Sequence, residues 1–328
     1  MKKVLSLILA LAMVFALVAC GEKQPASDGD ASSDGDKPAR GNVIMTFGTA
    51  DTGGSMYPAG AAVSQVWTNN VEGVKCNTQT STGSFQNCQD VSTGEVDVAV
   101  ATSDVVLNAY NGTGKFADIG KLDNLRVIGA VYTSVLSGVA LKSSGLTYIH
   151  ELLGKRVAVG PAASATENAT LAAFGVMGID SSNTSLENLG LGDGILDAAF
   201  GFAGLPIGGQ LNLAATKEIQ VLDMTQEEID KVLAGNAAYI QTKIPAGTYT
   251  GQDYDANTFG VKCLIIVTAD MDADLVYDLC KAMNEHTEEL AAGNALLKDM
   301  TDPSFLCTQM PIPLHDGAQK YYSEQGLI

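Results

Sequence analysis

Short apolar runs, turns of small residues and helical patterns follow one another in this order along most of the chain. In the first unit, an apolar run at 43–48 precedes the turn Thr52-Gly53-Gly54-Ser55 and apolar residues at helical spacing through Trp67. The same order predicts a second unit with strand 74–80, turn Ser81-Thr82-Gly83-Ser84, a helix to Thr93 and strand 96–101. Consecutive strand, helix and strand units predict a mainly parallel, buried sheet.

The second half of the chain repeats this order of elements. The pattern predicts strands at 125–132, 136–141 and 156–159, then the turn Gly160-Pro161-Ala162-Ala163-Ser164 and a helix at 166–176. A β-rich run at 258–268 and helices at 272–291 and 317–323 complete the chain. Two similar halves indicate an α/β fold of two domains.

One connection in the second half is short. Between Ser185 and Phe200 the chain offers only the stretch Gly190 to Gly194 for joining two strands. Parallel strands need a crossover of about a dozen residues or more, usually a helix. The segment therefore predicts either a local hairpin or the loss of a crossover helix.

The N-terminus has the order of features that bacterial export and lipid attachment require. Lys2 and Lys3 precede an apolar run from Val4 to Ala19, and Leu17-Val18-Ala19-Cys20 is typical of a lipobox. We predict a lipoprotein signal peptide at 1–20, with cleavage leaving Cys20 acylated; the alternative is an uncleaved anchor with an ordinary cysteine. Residues 21–41 are rich in Ser, Asp and Gly, and this composition predicts a disordered tether.

The composition of the chain disfavours several classes of protein function. The chain has 328 residues, 46% of them hydrophobic, and a formal net charge of -18, which disfavours nucleic-acid binding. Apart from Cys20, five cysteines remain and no CxxC pair occurs, so neither a full disulfide framework nor a metal site is predicted. Buried free thiols are the favoured interpretation, and pairing of Cys76 with Cys88 is the alternative.

The small-residue turns suggest a binding site for a small polar solute. A helix N-terminus offers unpaired N–H groups and a partial positive charge, so it can receive a carboxylate or phosphate without arginine. A single Ser or Thr at such a turn is more often a helix cap. Turns of this kind in two similar halves can instead face each other across a cleft and close on one molecule.

Several stretches, taken in order, resemble the TAXI-type solute-binding subunits of tripartite ATP-independent periplasmic (TRAP) transporters. The resemblance spans residues 43–328. The matching stretches are Gly48 to Gly54 with Tyr57-Pro58, Ser81 to Ser84, Ser92 to Asp97, Thr102-Ser103-Asp104, Gly154 to Val157, Val159-Gly160-Pro161, Ser164 to Glu167, Ile244 to Tyr249 with Gly251 to Asp253, and Pro313-Leu314-His315.

This resemblance implies an α/β, two-domain, periplasmic-binding-protein-like (type II) fold with a ligand cleft at the hinge. The first domain would combine residues 42–134 with 257–328, and the second would comprise 135–256. The implied ligand-binding residues are Thr52, Gly53, Gly54, Ser55, Tyr57, Thr82, Ser84, Ser103 and Asp104 from the first domain, Tyr132 near the crossing, and Ser164, Ala165, Thr166 and Phe202 from the second. For Tyr132 and Phe202, core packing is an equal alternative.

The resemblance also implies a function. The lipoprotein would stand outside the cytoplasm, anchored in the bacterial cell membrane, and pass a small carboxylate to TRAP permease subunits. A glutamate-like or glutamine-like amino acid or a dicarboxylate is the expected ligand. We expect a monomer with no cofactor, no metal and no catalytic residues.

Two other functions stay open at this point. A lipid-anchored sensor subunit would share the fold and the cleft but act with another membrane partner. An exported hydrolase is less favoured, because the sequence has no GxSxG or HExxH motif. Its three histidines, His150, His286 and His315, stand in different segments and propose no triad.

Overall fold

The fold is that of a computed structural model. It describes residues 41–52, 54–162, 164–190 and 196–328. The predicted signal peptide with Cys20, all but the last residue of the predicted tether, and Gly53 lie outside the described residues. No helix in the described ranges combines the length and the apolar character needed to cross a membrane.

The described chain contains ten strands and ten α-helices. The strands are β1 (Val43–Gly48), β2 (Val74–Gln79), β3 (Val98–Thr102), β4 (Leu125–Leu141), β5 (Arg156–Ala158), β6 (Ser185–Glu187), β7 (Ala198–Ala203), β8 (Ile219–Val221), β9 (Tyr239–Ile244) and β10 (Ala256–Thr268). The helices are α1 (Met56–Asn70), α2 (Ser84–Thr93), α3 (Ser103–Asn111), α4 (Ala165–Met177), α5 (Gly208–Ala214), α6 (Gln226–Gly235), α7 (Ala273–Glu285), α8 (Thr287–Gly293), α9 (Pro303–Cys307) and α10 (Asp316–Glu324).

All ten strands belong to one sheet that two long strands hold together. The main path has the order β2-β1-β3-β10-β4-β7-β5-β6, with β8 paired to β4 and β9 paired to β10. Strand β4 pairs with β10 along residues 125–135 and with β7 and β8 beyond that point. Strand β10 likewise pairs first with β9 and then with β3. The two long strands therefore run through both halves of the sheet.

Nearly continuous apolar sequence explains why these long strands are central. Almost every residue of β10 and β4 is buried, as expected for strands covered on both faces. In the first half, α1, α7 and α10 cover one face, where Trp67 stacks on Phe47 and its indole N–H donates to the Leu279 carbonyl at 3.0 Å. The opposite face carries a second core around Cys88 and Val106.

The sheet differs from the predicted one in two respects. Parallel pairing is confined to β1 with β2 and β3 and to β5 with β6 and β7, whereas β4 and β10 pair antiparallel, so the sheet is mixed. The local hairpin suggested for residues 185–200 is wrong. Strands β6 and β7 lie on opposite sides of β5 and run parallel to it, so they do not pair with each other as a hairpin would.

The cysteines follow the favoured prediction. Cys76, Cys88, Cys263, Cys280 and Cys307 are all free and buried, so the alternative pairing of Cys76 with Cys88 is wrong. Burial raises the pKa of the Cys76 and Cys263 thiols to about 11, which keeps both in the neutral form at physiological pH. These thiols act as small apolar side chains of the core.

A buried lysine connects β10 to the end of α9. Lys262 is 3% exposed, and its Nζ donates to the carbonyls of Phe305 and Thr308 at 2.8 and 2.9 Å. The ammonium also lies 4.5 Å from the centre of the Phe305 ring. Burial lowers the pKa of Lys262 to about 8.

Replacing Lys262 is expected to change how stability depends on pH. Because the folded pKa of about 8 lies below that of an unfolded lysine, the unfolded chain holds more protons between pH 8 and 10.5, and the contribution of Lys262 rises with pH there. Between pH 7 and 10 we expect the free energy of unfolding of the wild type to gain about 2 kcal/mol relative to Lys262→Met, measured by urea unfolding. The exposed Lys231→Met is the control, and a pH-independent difference would contradict the assignment.

Candidate functional site

The N-terminal ends of α1, α2, α3 and α4 meet at one cavity of 760 Å³. The lining residues come from both halves of the chain, because α1 to α3 follow strands of the first half and α4 follows β5 of the second. Before α1, α2 and α4 the chain leaves a strand and turns through small residues into the helix, whereas α3 begins directly after β3. This local pattern directs helix N–H groups and small side chains towards the cavity.

Nine of the residues singled out in the sequence line this cavity. They are Gly54, Ser55, Thr82, Ser84, Asp104, Tyr132, Ser164, Ala165 and Phe202. Thr52, Tyr57, Ser103 and Thr166 are not among the lining residues, and Gly53 lies outside the described part of the chain. The predicted residues that line the cavity thus come from both halves of the chain.

The four predicted site residues that do not line the cavity each lie in a different environment. Thr52 lies in the exposed turn before α1, and Tyr57 is the partly buried second residue of that helix. The buried Ser103 hydroxyl donates to the Ala238 carbonyl at 3.1 Å, which connects α3 to the segment just before β9. Thr166 packs against Gly160, where an added Cβ would lie 2.7 Å from the threonine Cβ. With a φ of +107° as well, this position requires glycine.

The helices differ in how their first turns are satisfied. Neither α1 nor α2 has a side-chain cap, so the side chains leave their first N–H groups available. At α4, the Ser164 hydroxyl accepts from the Glu167 N–H at 3.1 Å and serves as an N-cap. The hydroxyl hydrogen of Ser164 can still donate to a solute.

Hydrogen bonds hold the Thr82 and Ser84 hydroxyl groups at the start of α2. Both the N–H and the hydroxyl of Thr82 donate to the Gln86 side-chain oxygen at 2.9 Å. The Ser84 hydroxyl accepts from the Thr102 N–H at 3.0 Å. These hydrogen bonds fix the two turns relative to each other and hold the ends of α2 and α3 side by side.

Two ionisable side chains of opposite charge line the described cavity wall. Asp104 is the second residue of α3, and burial raises the pKa of its carboxyl. Lys115 follows α3 and is exposed at the cavity. Lys115 and the helix N-termini contribute positive potential to the cavity.

Aromatic and apolar side chains form the rest of the wall. Phe85 and Phe116 contact each other with ring centres 4.6 Å apart, and both line the cavity. Tyr132 is 1% exposed on β4, and burial raises its pKa well above the ordinary tyrosine value, so its hydroxyl stays neutral. Phe202 lines the cavity from β7. The cavity therefore combines polar helix ends with aromatic walls, as small-molecule sites commonly do.

The sequence reading missed several lining residues. They include Phe85, Asn108, Lys115, Phe116 and Asn168. Asn108 and Asn168 lie about one turn after Asp104 and Ser164, so helical spacing from the predicted turns would have found both. Lys115 carried no comparable signal, because it follows a glycine turn outside any matched motif. Among the described residues, no cluster of histidine, cysteine or acidic side chains is arranged to hold a metal ion.

The mixed α/β fold belongs to the periplasmic-binding-protein-like class, and its cavity lies where helix N-termini from both halves meet. The chain belongs to the NMT1-like family, whose model matches residues 47–326. Proteins of this class bind small solutes outside the cytoplasm and act with transporter permeases.

Solved structures of low sequence identity are similar to this chain. A TctC solute-binding protein from Polaromonas is 13% identical, with 87% of this chain and 98% of that chain covered and a TM-score of 0.52. The alkanesulfonate-binding protein SsuA from Xanthomonas axonopodis pv. citri, bound to MOPS, is 14% identical, with coverage of 88% and 85% and a TM-score of 0.45. The predicted periplasmic-binding-protein-like fold class is confirmed.

Proposed function

We propose that this chain is the extracytoplasmic solute-binding lipoprotein of a TRAP transporter, of the TAXI type, and that it captures a small carboxylate for a membrane permease. The sequence stretches that resemble TAXI proteins include the turns before α1, α2 and α4, and the cavity is built from the same turns. The turns that resemble TAXI proteins are therefore also part of the proposed ligand site, and this overlap supports the proposal.

The membrane arrangement belongs to the same proposal. Cys20 carries the acyl chains, and residues 21–41 form the tether that separates the folded part from the bilayer. The first domain combines 42–134 with 257–328 and the second comprises 135–256, so that β4 runs from one into the other and β10 begins at their boundary. A solute held between the domains can then be presented to a permease in the same membrane.

The observation that carries the proposal is the meeting of helix N-termini and a lysine at one cavity. The first turns of α1 and α2 lack side-chain caps, so their N–H groups can donate to a carboxylate. Lys115 lines the same cavity and carries a positive charge. Because the whole chain has a net charge of -18, attraction for an anion must arise from these local groups.

The lining of the cavity suits an organic acid that has both apolar and charged parts. A volume of 760 Å³ lies in the ordinary range for small-molecule sites. Aromatic rings on several sides can cover the methylene groups of a solute, while the helix ends hold its carboxylate. An amino acid or a short dicarboxylate satisfies both requirements.

A thermal unfolding screen tests the proposed function. We expect L-glutamate, L-glutamine, glutarate, succinate or 2-oxoglutarate to raise the melting midpoint of the purified protein, and glucose to leave it unchanged. At a hundredfold excess over the dissociation constant, binding adds about 2.7 kcal/mol, or roughly 5–10 °C in the midpoint. A midpoint raised by glucose alone, or by none of these solutes, would contradict carboxylate capture.

A further inference from the structure

An unpaired carboxyl oxygen belongs to one of the residues that line the cavity. Asp104 lines the cavity from the first turn of α3. Its Oδ1 is buried and has no hydrogen-bond partner within the described part of the protein. A buried polar atom without a partner costs about 1–3 kcal/mol, and folded proteins contain few of them. This oxygen therefore calls for a partner that the protein itself does not supply.

The surroundings of this carboxyl favour a positively charged partner. Burial is the largest influence on its pKa, which is raised, although hydrogen bonds from the Thr102 side chain and the Val105 backbone act in the opposite direction. Burial is the largest cause of the raised pKa values of the Tyr239 hydroxyl and of the Cys88 and Cys263 thiols, and the Asp104 carboxylate raises all three further. These three neighbours are neutral or negative, so none of them compensates the charge of an ionised Asp104. A cation brought by a solute would do so.

We propose that the solute carries a protonated amine in addition to its carboxylate, and that this amine donates a hydrogen bond to Asp104. The inference rests on the proposed function, because it takes the cavity to be the solute site. Among small carboxylates, the site then prefers amino acids. Asp104 is the residue that distinguishes an amino acid from a dicarboxylate without an amine.

The rest of this wall matches a solute with both charges. Lys115 and the uncapped N-termini of α1 and α2 suit the carboxylate, while Asp104 suits the amine. Phe116, which is 1% exposed, and Phe85 line the same cavity and limit the access of water. Exclusion of water strengthens the attraction between an amine and a carboxylate.

Three solutes that carry different charged groups test this inference by calorimetry on the full chain. L-Glutamate has two carboxylates and an amine, glutarate has the same carbon skeleton without the amine, and putrescine has amines without a carboxylate. We expect L-glutamate to bind about 10- to 100-fold more tightly than glutarate, since hydrogen bonds to charged groups contribute about 1.5–3 kcal/mol. Glutarate binding as tightly as L-glutamate would overturn the inference while leaving carboxylate capture intact.

The variant Asp104→Asn keeps the shape of the side chain and removes its charge. We expect it to bring the affinities for L-glutamate and glutarate within about threefold of each other, mainly by weakening L-glutamate. An unchanged ratio in this variant would exclude Asp104 as the discriminating residue. If the variant does not fold, the ratio of the wild-type affinities for L-glutamate and glutarate is sufficient to test whether the amine is required.

The remaining outcomes separate this inference from the proposed function. Binding of putrescine in the absence of any carboxylate binding, lost in Asp104→Asn, would overturn carboxylate capture but support the role of Asp104. Failure of all three solutes to bind, together with a negative thermal screen, would overturn both.

Discussion

Gly54→Asp is expected to abolish carboxylate binding while leaving the fold intact. Gly54 lines the cavity just before α1, and a Cβ built there approaches no atom closer than 3.4 Å, so the backbone accommodates a side chain. The new carboxylate would compete for the N–H groups at the start of α1 and repel a carboxylate solute. We expect the dissociation constant for the best carboxylate of the thermal screen to rise at least about 100-fold, measured by calorimetry.

Gly208→Asp is a matched control for this variant. Gly208 is exposed at the first residue of α5, an added Cβ meets nothing within 4 Å, and the residue does not line the cavity. The control therefore introduces the same charge at a helix start elsewhere, and its affinity should equal that of the wild type. If Gly54→Asp bound the solute like the wild type, the site would have to lie away from the start of α1.

Gly260→Ala is expected to produce the largest loss of stability among single methyl additions at the crossing of β4 and β10. A Cβ at Gly260 would lie 2.4 Å from the Ser134 carbonyl oxygen and 3.0 Å from the Thr133 methyl carbon. The obstructing oxygen belongs to the backbone of β4, which is paired along this stretch and cannot move without disturbing the sheet. We expect a loss of about 3 kcal/mol, which lowers the melting midpoint by roughly 6–12 °C.

Gly175→Ala is the control for this substitution. Gly175 lies exposed in the interior of α4, and an added Cβ there meets no atom within 4 Å. Alanine is a better helix former than glycine, so this variant should gain about 0.5–1 kcal/mol. Equal midpoints for Gly260→Ala and the wild type would mean that the two long strands tolerate separation at their crossing.

The sequence predicted the elements with strong patterns. Strand β1 lies at the predicted residues, and α2, α4 and α10 differ from prediction by at most two residues at either end. In each of these cases an apolar run or a helical spacing is bounded by a turn of small residues. The turns also explain why nine predicted site residues line one cavity, since the ends of neighbouring strands bring them together.

The remaining features depend on tertiary structure that local patterns do not encode. Helix α3 was missed because apolar residues at 105, 106, 107 and 109 show no clear helical period. Lys115 enters the cavity wall only because the chain turns back after α3. Of the two alternatives for residues 185–200, the hairpin is wrong because β6 and β7 both pair parallel with β5, a pairing that local sequence does not encode.

The buried cysteines make this protein suited to fluorescence experiments. Every thiol in the described residues is buried, and burial raises the pKa of thiols such as Cys76 and Cys263. Once Cys20 is acylated or replaced by serine, a maleimide dye is therefore expected to leave the folded chain unlabelled. A cysteine introduced at the exposed Thr52, beside the cavity but outside its lining, would then be the single labelled position. A dye placed there would report solute capture in real time on the native sequence background.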